Sequence, residues 1–256
     1  MWNLKKIFVF LLLVFVQYLA SQEISEVKIH SHNDYLQSLP FWTAYDNGLS
    51  SIEVDVFLKE GILYATHSKR EIKEKHTLED LYLLPLQRVY DLQIGNQQNI
   101  QLLIDIKSKA IPTLNEIINV LNNYPELLNN DKLSFVISGN RPSPEDYSSY
   151  PDFVQFDYQS LDYISDEVVN KVALVSMNFN SISNWNGVEV LSKKEVEKIS
   201  FVIAEAHKLG RPFRFWGCPD TPLAWKTFMA LGMDYLHTDD PYECTKFVES
   251  LERPKK

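Results

Sequence analysis

The chain has 256 residues and a net charge of −9, because 34 acidic residues outnumber 25 Lys and Arg residues. An acidic surface repels a phosphate backbone, so these numbers exclude general nucleic-acid binding. Cys218 and Cys244 are the only cysteines, which excludes a disulfide framework and a cysteine-type zinc site. Whether these two residues pair stays open.

The segment 1–21 is predicted to be a signal peptide. Lys5 and Lys6 precede the apolar run 7–16, and small residues follow it at Ala20 and beyond. The run is shorter than the about 20 apolar residues that a membrane span needs, so we expect cleavage rather than an uncleaved anchor. The mature protein is therefore expected to be exported, into a periplasm or out of the cell, without a stable membrane span.

Residues 22–256 are predicted to form one domain, because no repeat, linker or low-complexity tract divides them. Apolar runs bounded by turn residues predict eight main strands, which start near residues 27, 51, 102, 133, 153, 172, 212 and 235. After the second of these strands, Gly61 turns the chain into a short return strand over 63–67.

Helices are predicted between the strands, over 77–92, 112–121, 192–209 and 221–231, with a closing helix from Pro241. The strongest start and stop signals are Ser192 as N-cap, Glu195 as its capping-box partner and Gly210 at the end. Eight strand–helix units in a chain of this length predict a single (β/α)8 TIM barrel. An open doubly wound sheet is the alternative, but the chain lacks the Gly-rich phosphate turn of that fold.

Histidines mark the end of the first strand and of the return strand. His30 and His32 share one face, because alternate residues of a strand point the same way. Asn33 follows at once, and His67 ends the return strand. Two imidazoles at a strand end suit a metal site, an acid–base site or a satisfied polar cluster, and their spacing alone does not choose among these.

Carboxylates follow the same spacing on the next strands. Glu53 and Asp55 alternate on the second strand, and Asp105 and Lys107 on the third. An isolated Glu-x-Asp pair usually faces solvent, but a barrel strand has helices outside and a packed core inside. Three converging carboxylates repel each other, and one Lys cannot neutralise them. A divalent cation would, and all-oxygen ligands favour Mg²⁺ or Ca²⁺.

Five segments together resemble the glycerophosphodiester phosphodiesterase and phospholipase C-like barrel superfamily. They are SHNDYL, SIEVDVFLKEGILYATH, LLIDIK, RFWGCPD and LHTDDP, and they extend from the first predicted strand to the eighth. The whole pattern is similar to a small branch typified by an "altered inheritance of mitochondria" protein of yeast. Glycerophosphodiesterases usually carry Arg after the first histidine, where this chain has Asn33, so the resemblance leaves the substrate alcohols open.

The resemblance implies a TIM barrel of the phospholipase C-like phosphodiesterase type and a metal-dependent phosphoric diester hydrolase. The substrate would be a small-molecule or lipid phosphodiester, often attacked by its own neighbouring hydroxyl. The implied roles are catalysis by His32 and His67, metal binding by Glu53, Asp55, Asp105 and Asn33, and substrate binding by Lys107 and Trp216. His30, two residues deeper, is expected to support the site by hydrogen bonding or to fill the barrel.

Two other classes remain open. A His-x-His amidohydrolase or phosphoesterase barrel would bind zinc through His30 and His32, but such sites need histidines on later strands. The fifth and sixth predicted strands contain none, and His237 is expected to stand alone on the last strand. A non-catalytic barrel could instead bind a phospholipid or glycan through Trp185, Trp216 and Trp225. The intact histidines and carboxylates argue against that class.

Overall fold

The computed structural model describes residues 27–95 and 98–252, so the predicted signal peptide lies outside it. Within this part, nine strands follow in chain order: β1 (Lys28–Ser31), β2 (Ser51–Lys59), β3 (Ile62–Ala65), β4 (Ile100–Ile106), β5 (Leu133–Gly139), β6 (Val154–Tyr158), β7 (Val172–Asn178), β8 (Phe213–Trp216) and β9 (Tyr235–Thr238).

Eight of these strands form a closed parallel barrel. Their order around the ring is β1-β9-β8-β7-β6-β5-β4-β2, and pairing of His30 with Ser51 closes β1 onto β2. β3 is the predicted return strand and pairs antiparallel with β2. The predicted (β/α)8 barrel is therefore confirmed, and all eight carboxyl ends open at one mouth.

The described helices are α1 (Trp42–Asp46), α2 (Leu84–Asp91), α3 (Ala110–Leu121), α4 (Pro125–Leu128), α5 (Asp166–Val169), α6 (Lys193–Lys208), α7 (Pro222–Ala230) and α8 (Pro241–Glu252). The connections after β1, β5 and β6 carry only short helical turns. Among these helices, none has the length and apolar character that crossing a bilayer requires. Cys218 and Cys244 are both free thiols.

The predicted helix over 77–92 is interrupted near its start. A single wide turn over Glu79–Leu83 precedes α2, and the N–H of Leu84 bonds to the carbonyl of Glu79. Pro85 has no N–H with which to continue an α-helical ladder. A wide turn before the proline accommodates this missing donor.

The interior of the barrel has two layers. Nearer the amino ends of the strands, Leu103, Val136, Leu174 and Tyr235 form a small apolar cluster. Two residues further along the same strands, and so on the same face, lie Asp105, Ser138, Ser176 and His237. The polar layer therefore lies nearer the mouth than the apolar cluster does.

We expect loss of the α6 cap to lower stability without affecting the mouth. The Ser192 hydroxyl accepts from the Glu195 N–H at 3.3 Å, and the Glu195 carboxylate accepts from the Ser192 N–H at 3.0 Å. Ser192→Ala should lower the free energy of unfolding by about 1 kcal/mol, measured by urea denaturation. Ser250→Ala is the control, because that hydroxyl only donates to the Phe247 carbonyl within α8. Equal effects of the two substitutions would contradict a specific capping role.

Candidate active site

Three carboxylates meet at the mouth of the barrel. Asp55 on β2 lies directly beside Asp105 on β4 in the strand register, and Glu53 lies two residues deeper on β2. One oxygen of each lies within 4.8 Å of an oxygen of the other two. Glu53 and Asp55 are buried, with 3 % and 0 % of their surface exposed. The structure therefore brings together the three carboxylates that were predicted from the sequence to bind a metal ion.

The cluster carries more negative charge than its one local ammonium group can balance. Lys107 Nζ lies 3.2 Å from Asp55 Oδ1 and 3.0 Å from Asp105 Oδ2. Within the described residues, Asp55 Oδ1 and Asp105 Oδ1 are buried without a hydrogen-bond partner. Burial, and then the nearby Glu53 charge, raise the pKa of Asp105 to about 7. In the described part of the chain, Asp55 Oδ1 thus has only its ion pair with Lys107, and Asp105 Oδ1 has no partner, so both oxygens fit a hard divalent cation such as Mg²⁺ or Ca²⁺.

Glu53 is held by a chain of buried polar groups. Gln101 Nε2 donates to Ser51 Oγ at 2.9 Å, and Ser51 Oγ lies 2.7 Å from His30 Nδ1. His30 Nε2 lies 2.7 Å from Glu53 Oε2, so Nε2 donates to the carboxylate when Nδ1 accepts from the serine. Arg214 Nη1 lies 2.8 Å from His30 Nε2 and 3.2 Å from the same Glu53 oxygen.

These buried surroundings determine the charge states of Glu53 and His30. Burial would raise the pKa of Glu53, but the hydrogen bond from His30 and the Arg214 charge hold that pKa well below its usual range. Burial and then Arg214 lower the pKa of His30 to about 4. Near neutral pH the carboxyl is thus ionised and the imidazole is neutral. His30 is placed to orient Glu53.

His67 lies just beyond β3 and reaches back to the cluster. Its Nδ1 lies 2.7 Å from Asp55 Oδ2, and the Tyr35 hydroxyl donates to the same oxygen at 3.0 Å. The imidazole side chain is 65 % exposed, whereas Asp55 is fully buried. The ring is therefore held at one nitrogen and open to solvent at the mouth.

His32 lies just beyond the end of β1 and pairs with a carboxylate outside the cluster. Its Nδ1 lies 2.6 Å from Asp239 Oδ1. Partial burial would lower the pKa of His32, but this hydrogen bond and the Glu53 charge raise it above its ordinary value. Asn33 adopts a left-handed backbone, with φ 48°, and its amide nitrogen lies 3.2 Å from His32 Nδ1. The Asn33 side chain also accepts from Tyr35 and so borders both histidine environments.

The two predicted substrate-binding residues lie on different sides of the barrel. Lys107 follows β4 and faces the cluster, as described above. Trp216 ends β8, two residues beyond Arg214 and on the same strand face. The indole N–H of Trp216 is buried without a partner in the described chain. No hydrogen bond joins Trp216 to the three carboxylates in the described residues.

Sequence reasoning missed several residues of the mouth. The interpretation that His237 stands alone is wrong, because its ring centroid lies 4.2 Å from that of His32. Asp239 belongs to the quoted segment LHTDDP and could have been found as the partner that a catalytic histidine needs. Arg214 opens RFWGCPD, and a basic residue within a buried strand indicates an internal carboxylate partner. Tyr35 gave no comparable signal.

The fold and the site define a TIM-barrel phosphodiesterase architecture, and comparisons with known families agree with it. The AIM6-like phosphodiesterase domain matches residues 19–101, and the glycerophosphoryl diester phosphodiesterase family matches residues 212–242. The first match includes β1, β2 and β3, and the second includes β8 and β9. The two matches thus cover the strands that carry both histidines and most of their partners.

Curated relatives and solved structures extend the similarity over most of the chain. "Altered inheritance of mitochondria protein 6" of Eremothecium gossypii is 25 % identical over 269 residues, with 86 % of this chain and 69 % of that protein covered. Its Arthroderma benhamiae homolog is 25 % identical over 269 residues, with coverage of 85 % and 82 %. A glycerophosphodiester phosphodiesterase structure from Parabacteroides distasonis has a TM-score of 0.60 and 17 % identity, covering 90 % of this chain and 99 % of that one.

A putative glycerophosphoryl diester phosphodiesterase from Silicibacter pomeroyi has a TM-score of 0.57 and 14 % identity, covering 91 % and 96 % of the two chains. At these identities the structural likenesses show the fold. The two family matches, the curated relatives and the shared fold together support a place in the glycerophosphodiester phosphodiesterase-like TIM-barrel superfamily, in its AIM6-like branch.

Gly139 allows Asp105 to take its place, and a side chain there should disturb cation binding. Gly139 has φ +68°, and an added Cβ would overlap Asp105 Oδ1 and lie 2.6 Å from the Ile106 carbonyl. Gly139→Ala should weaken Ca²⁺ or Mg²⁺ binding by about tenfold or more, measured as a smaller cation-induced rise in melting temperature. Gly210→Ala is the control, with φ +67° but open space around the new Cβ. A full cation response in both variants would contradict this role of Gly139.

Cation binding should strengthen as the pH rises towards neutrality. In the ion-free protein the pKa of Asp105 is about 7, and a ligand carboxyl must lose its proton. Below that pH, affinity for Ca²⁺ should fall about tenfold per pH unit, and above it the affinity should level off. The folded ion-free state holds this proton more tightly than the unfolded state, so its stability contribution falls as the pH rises towards 7. Calorimetric titrations with Ca²⁺ at several pH values should show that the affinity of Asp105→Asn for Ca²⁺ depends less steeply on pH than that of the unaltered chain. An equal slope in the two proteins would contradict the assignment of Asp105 as the titrating ligand.

Proposed function

We propose that this protein is a metal-dependent phosphoric diester hydrolase that uses His32 and His67 to move protons. The observation that carries the proposal is the arrangement at the mouth. Two imidazoles, each hydrogen bonded to a carboxylate through Nδ1, accompany a cluster of three carboxylates. Histidine suits proton transfer near neutral pH, and the carboxylates suit a hard cation.

Charge neutralisation is the first requirement of this chemistry, because a phosphodiester is an anion. Glu53, Asp55 and Asp105 would hold Mg²⁺ or Ca²⁺, with Asn33, which contacts the same Tyr35 hydroxyl as Asp55, as a further oxygen ligand; when bound, the cation supplies a Lewis acid for a non-bridging phosphate oxygen. Lys107 adds an ammonium group at the same place. Burial would lower its pKa, but the charges of Asp105 and Asp55 raise it, so Lys107 stays charged.

Proton transfer needs oriented imidazoles. With Nδ1 held by Asp239, His32 has Nε2 left for the substrate, and the carboxylate stabilises the protonated ring. His67 is held in the same way by Asp55, and its ring is accessible. One histidine takes the proton of the attacking hydroxyl, and the other gives a proton to the departing oxygen.

The space beside His67 supports a substrate with an apolar portion. A cavity of about 490 Å³ lies there, and its lining includes Tyr35, Leu36, His67, Lys73 and His76. Leu36 is 70 % exposed and gives the cavity an apolar edge. We propose a glycerophosphodiester-like or phospholipid-like substrate, whose alcohol occupies this cavity.

The zinc-hydrolase alternative receives less support from the contacts of His30. That alternative needs both His30 and His32 as metal ligands. His30 Nδ1 is engaged by Ser51, and Nε2 donates to Glu53, so neither nitrogen is free to bind a metal. A non-catalytic barrel would have no need for two imidazole–carboxylate pairs beside the cluster.

Export of the mature protein is part of this proposal and rests on the N-terminal sequence alone. Lys5 and Lys6, the apolar run and the small residues after it are the support. Mass spectrometry of the protein released by its producing cell tests export. A mature chain that begins near residue 22 is the expected result.

Turnover should depend on both histidines. His32→Ala and His67→Ala should each lower turnover of glycerophosphocholine about 10²- to 10⁴-fold in the presence of Ca²⁺ or Mg²⁺. Together they should cost far less than the product of the two losses, because they act as a unit. An activated substrate, bis(p-nitrophenyl) phosphate, should restore only the variant that lost the general acid. Phosphorus NMR of the products distinguishes a cyclic phosphate from direct hydrolysis.

His207→Ala is the matched control for these variants. His207 Nε2 lies 2.7 Å from Asp234 Oδ2 and so forms a similar pair, but on α6 and away from the mouth. This variant should retain full turnover. Full turnover in His32→Ala and His67→Ala on both substrates would exclude the proposed roles, and a wild-type protein without cation-dependent turnover would exclude the function.

A further inference from the structure

A second group of metal-binding side chains lies where β1 and β9 end. One ligand atom of each of His32, His237 and Asp239 lies within 4.8 Å of one on the other two. The ring centroids of His32 and His237 are 4.2 Å apart, with planes inclined at 37°. The proposed reaction uses His32 and Asp239 and gives His237 no task.

His237 is an unusual residue at this place. It is 4 % exposed, and its Nδ1 has no hydrogen-bond partner among the described residues. A buried polar nitrogen without a partner is costly, and an apolar side chain would fill the same space without that cost. A ligand bound by the imidazole removes the cost, so His237 is an independent indication of an occupant.

The third member of the group is held in place by its backbone. The Asp239 N–H donates to Asp220 Oδ2 at 2.7 Å, and Gln37 Nε2 donates to the Asp239 carbonyl at 2.7 Å. Thr238 Oγ1 donates to the same Asp220 oxygen at 3.1 Å. The Asp239 side chain is 66 % exposed, so an ion can reach it from solvent. The group is thus fixed on the protein side and open on the other.

The donor atoms of this group differ in kind from those of the carboxylate cluster. Two imidazoles and one carboxylate are ligands typical of zinc sites with an open fourth position, whereas oxygen-only sets suit Mg²⁺ and Ca²⁺. We propose that His32, His237 and Asp239 form a second metal site, separate from the carboxylate cluster, that takes Zn²⁺ or a similar transition-metal ion.

Occupancy of this site has a consequence for catalysis, and this consequence rests on the proposed function. A Zn²⁺ ion bound at His32 Nδ1 and at Asp239 takes the place of the proton in their hydrogen bond; that proton moves to Nε2 of a neutral ring, or is released to solvent when the ring was protonated at both nitrogens. The zinc-bound ring keeps one proton on Nε2, so it has no free lone pair with which to take another, and giving up that last proton would leave an imidazolate anion, which disfavours proton donation. Zn²⁺ therefore inhibits the hydrolase, and its removal restores turnover.

Binding is tested with Zn²⁺ alone, on full-length protein that already contains saturating Ca²⁺. Isothermal titration calorimetry should show one Zn²⁺ per chain that Ca²⁺ does not displace. Co²⁺ at the same site should give the absorption bands of a low-symmetry, nitrogen-containing complex. His237→Phe, which keeps a ring in the buried space, should weaken Zn²⁺ binding more than about tenfold. Asp239→Asn, at an exposed side chain, is the second variant if His237→Phe does not fold.

His207→Ala is the control for non-specific binding, because His207 and Asp234 form a two-residue pair without a third ligand in the described structure. Its Zn²⁺ affinity should equal that of the unaltered chain. Absence of a bound Zn²⁺, its displacement by Ca²⁺, or unchanged affinity in His237→Phe and Asp239→Asn would each overturn the second site.

An activity measurement separates this site from the proposed function. Zn²⁺ should inhibit the Ca²⁺-supported turnover of the unaltered chain, and His237→Phe should retain basal turnover and lose the sensitivity to Zn²⁺. Zn²⁺ bound at this site without inhibition of an active enzyme would overturn the inhibitory role. Turnover without Zn²⁺ binding would refute the second site and leave the function intact, whereas Zn²⁺ binding without any turnover would refute the function and leave the site intact.

Discussion

The arrangement of side chains at the mouth of the barrel is governed by the mutual repulsion of three carboxylates, those of Glu53, Asp55 and Asp105. Two like charges within 4.8 Å of each other repel by roughly 3 kcal/mol or more at an effective dielectric constant of about 20. Arg214 offsets Glu53 from below, and Lys107 lies between Asp55 and Asp105. Two cationic side chains among three carboxylates leave a residual negative charge. This remaining negative charge makes the cluster suitable for a divalent ion. Removal of Arg214 or Lys107 would leave a carboxylate without its cationic partner, which would lower stability as well as disturb the site.

The barrel holds the mutually repelling carboxylates in place, which an isolated loop could not do. The parallel register aligns Asp55 with Asp105 and His30 with His237, so their backbones cannot move apart without breaking strand pairing. Glu53 lies level with Leu103 of the apolar cluster, so apolar side chains share its layer of the barrel interior. Buried donors then replace water around Glu53, which explains why a carboxyl group with almost no exposed surface stays ionised. The rigid strands and the polar interior therefore act together to keep the buried carboxylates close to each other and to keep Glu53 ionised.

Much of this arrangement could be predicted from the sequence, for physical reasons that differ between residues. The spacing of Glu53 and Asp55 is visible because a strand has a period of two, and Ser192 with Glu195 is visible because capping is local. The pairing of His32 with Asp239 joins residues at opposite ends of the chain and depends on barrel closure, which no local pattern encodes. His237 was misjudged for the same reason. Gly139 is required because of where the Asp105 carboxylate points, and that direction emerges only from packing.

Because of the β2–β3 hairpin, one part of the candidate active site can change more easily during evolution than the rest. Among the described ring strands, β3 pairs with β2 alone, through the turn at Gly61, so it is an appendage of the ring and not one of its eight members. Insertions or deletions there leave the strand count and the stagger of the barrel untouched. His67 is carried by this appendage, whereas Glu53, Asp55 and Asp105 lie on ring strands. Lineages of this fold can therefore diversify around one imidazole while their ion-binding carboxylates stay under the geometric control of the closed sheet.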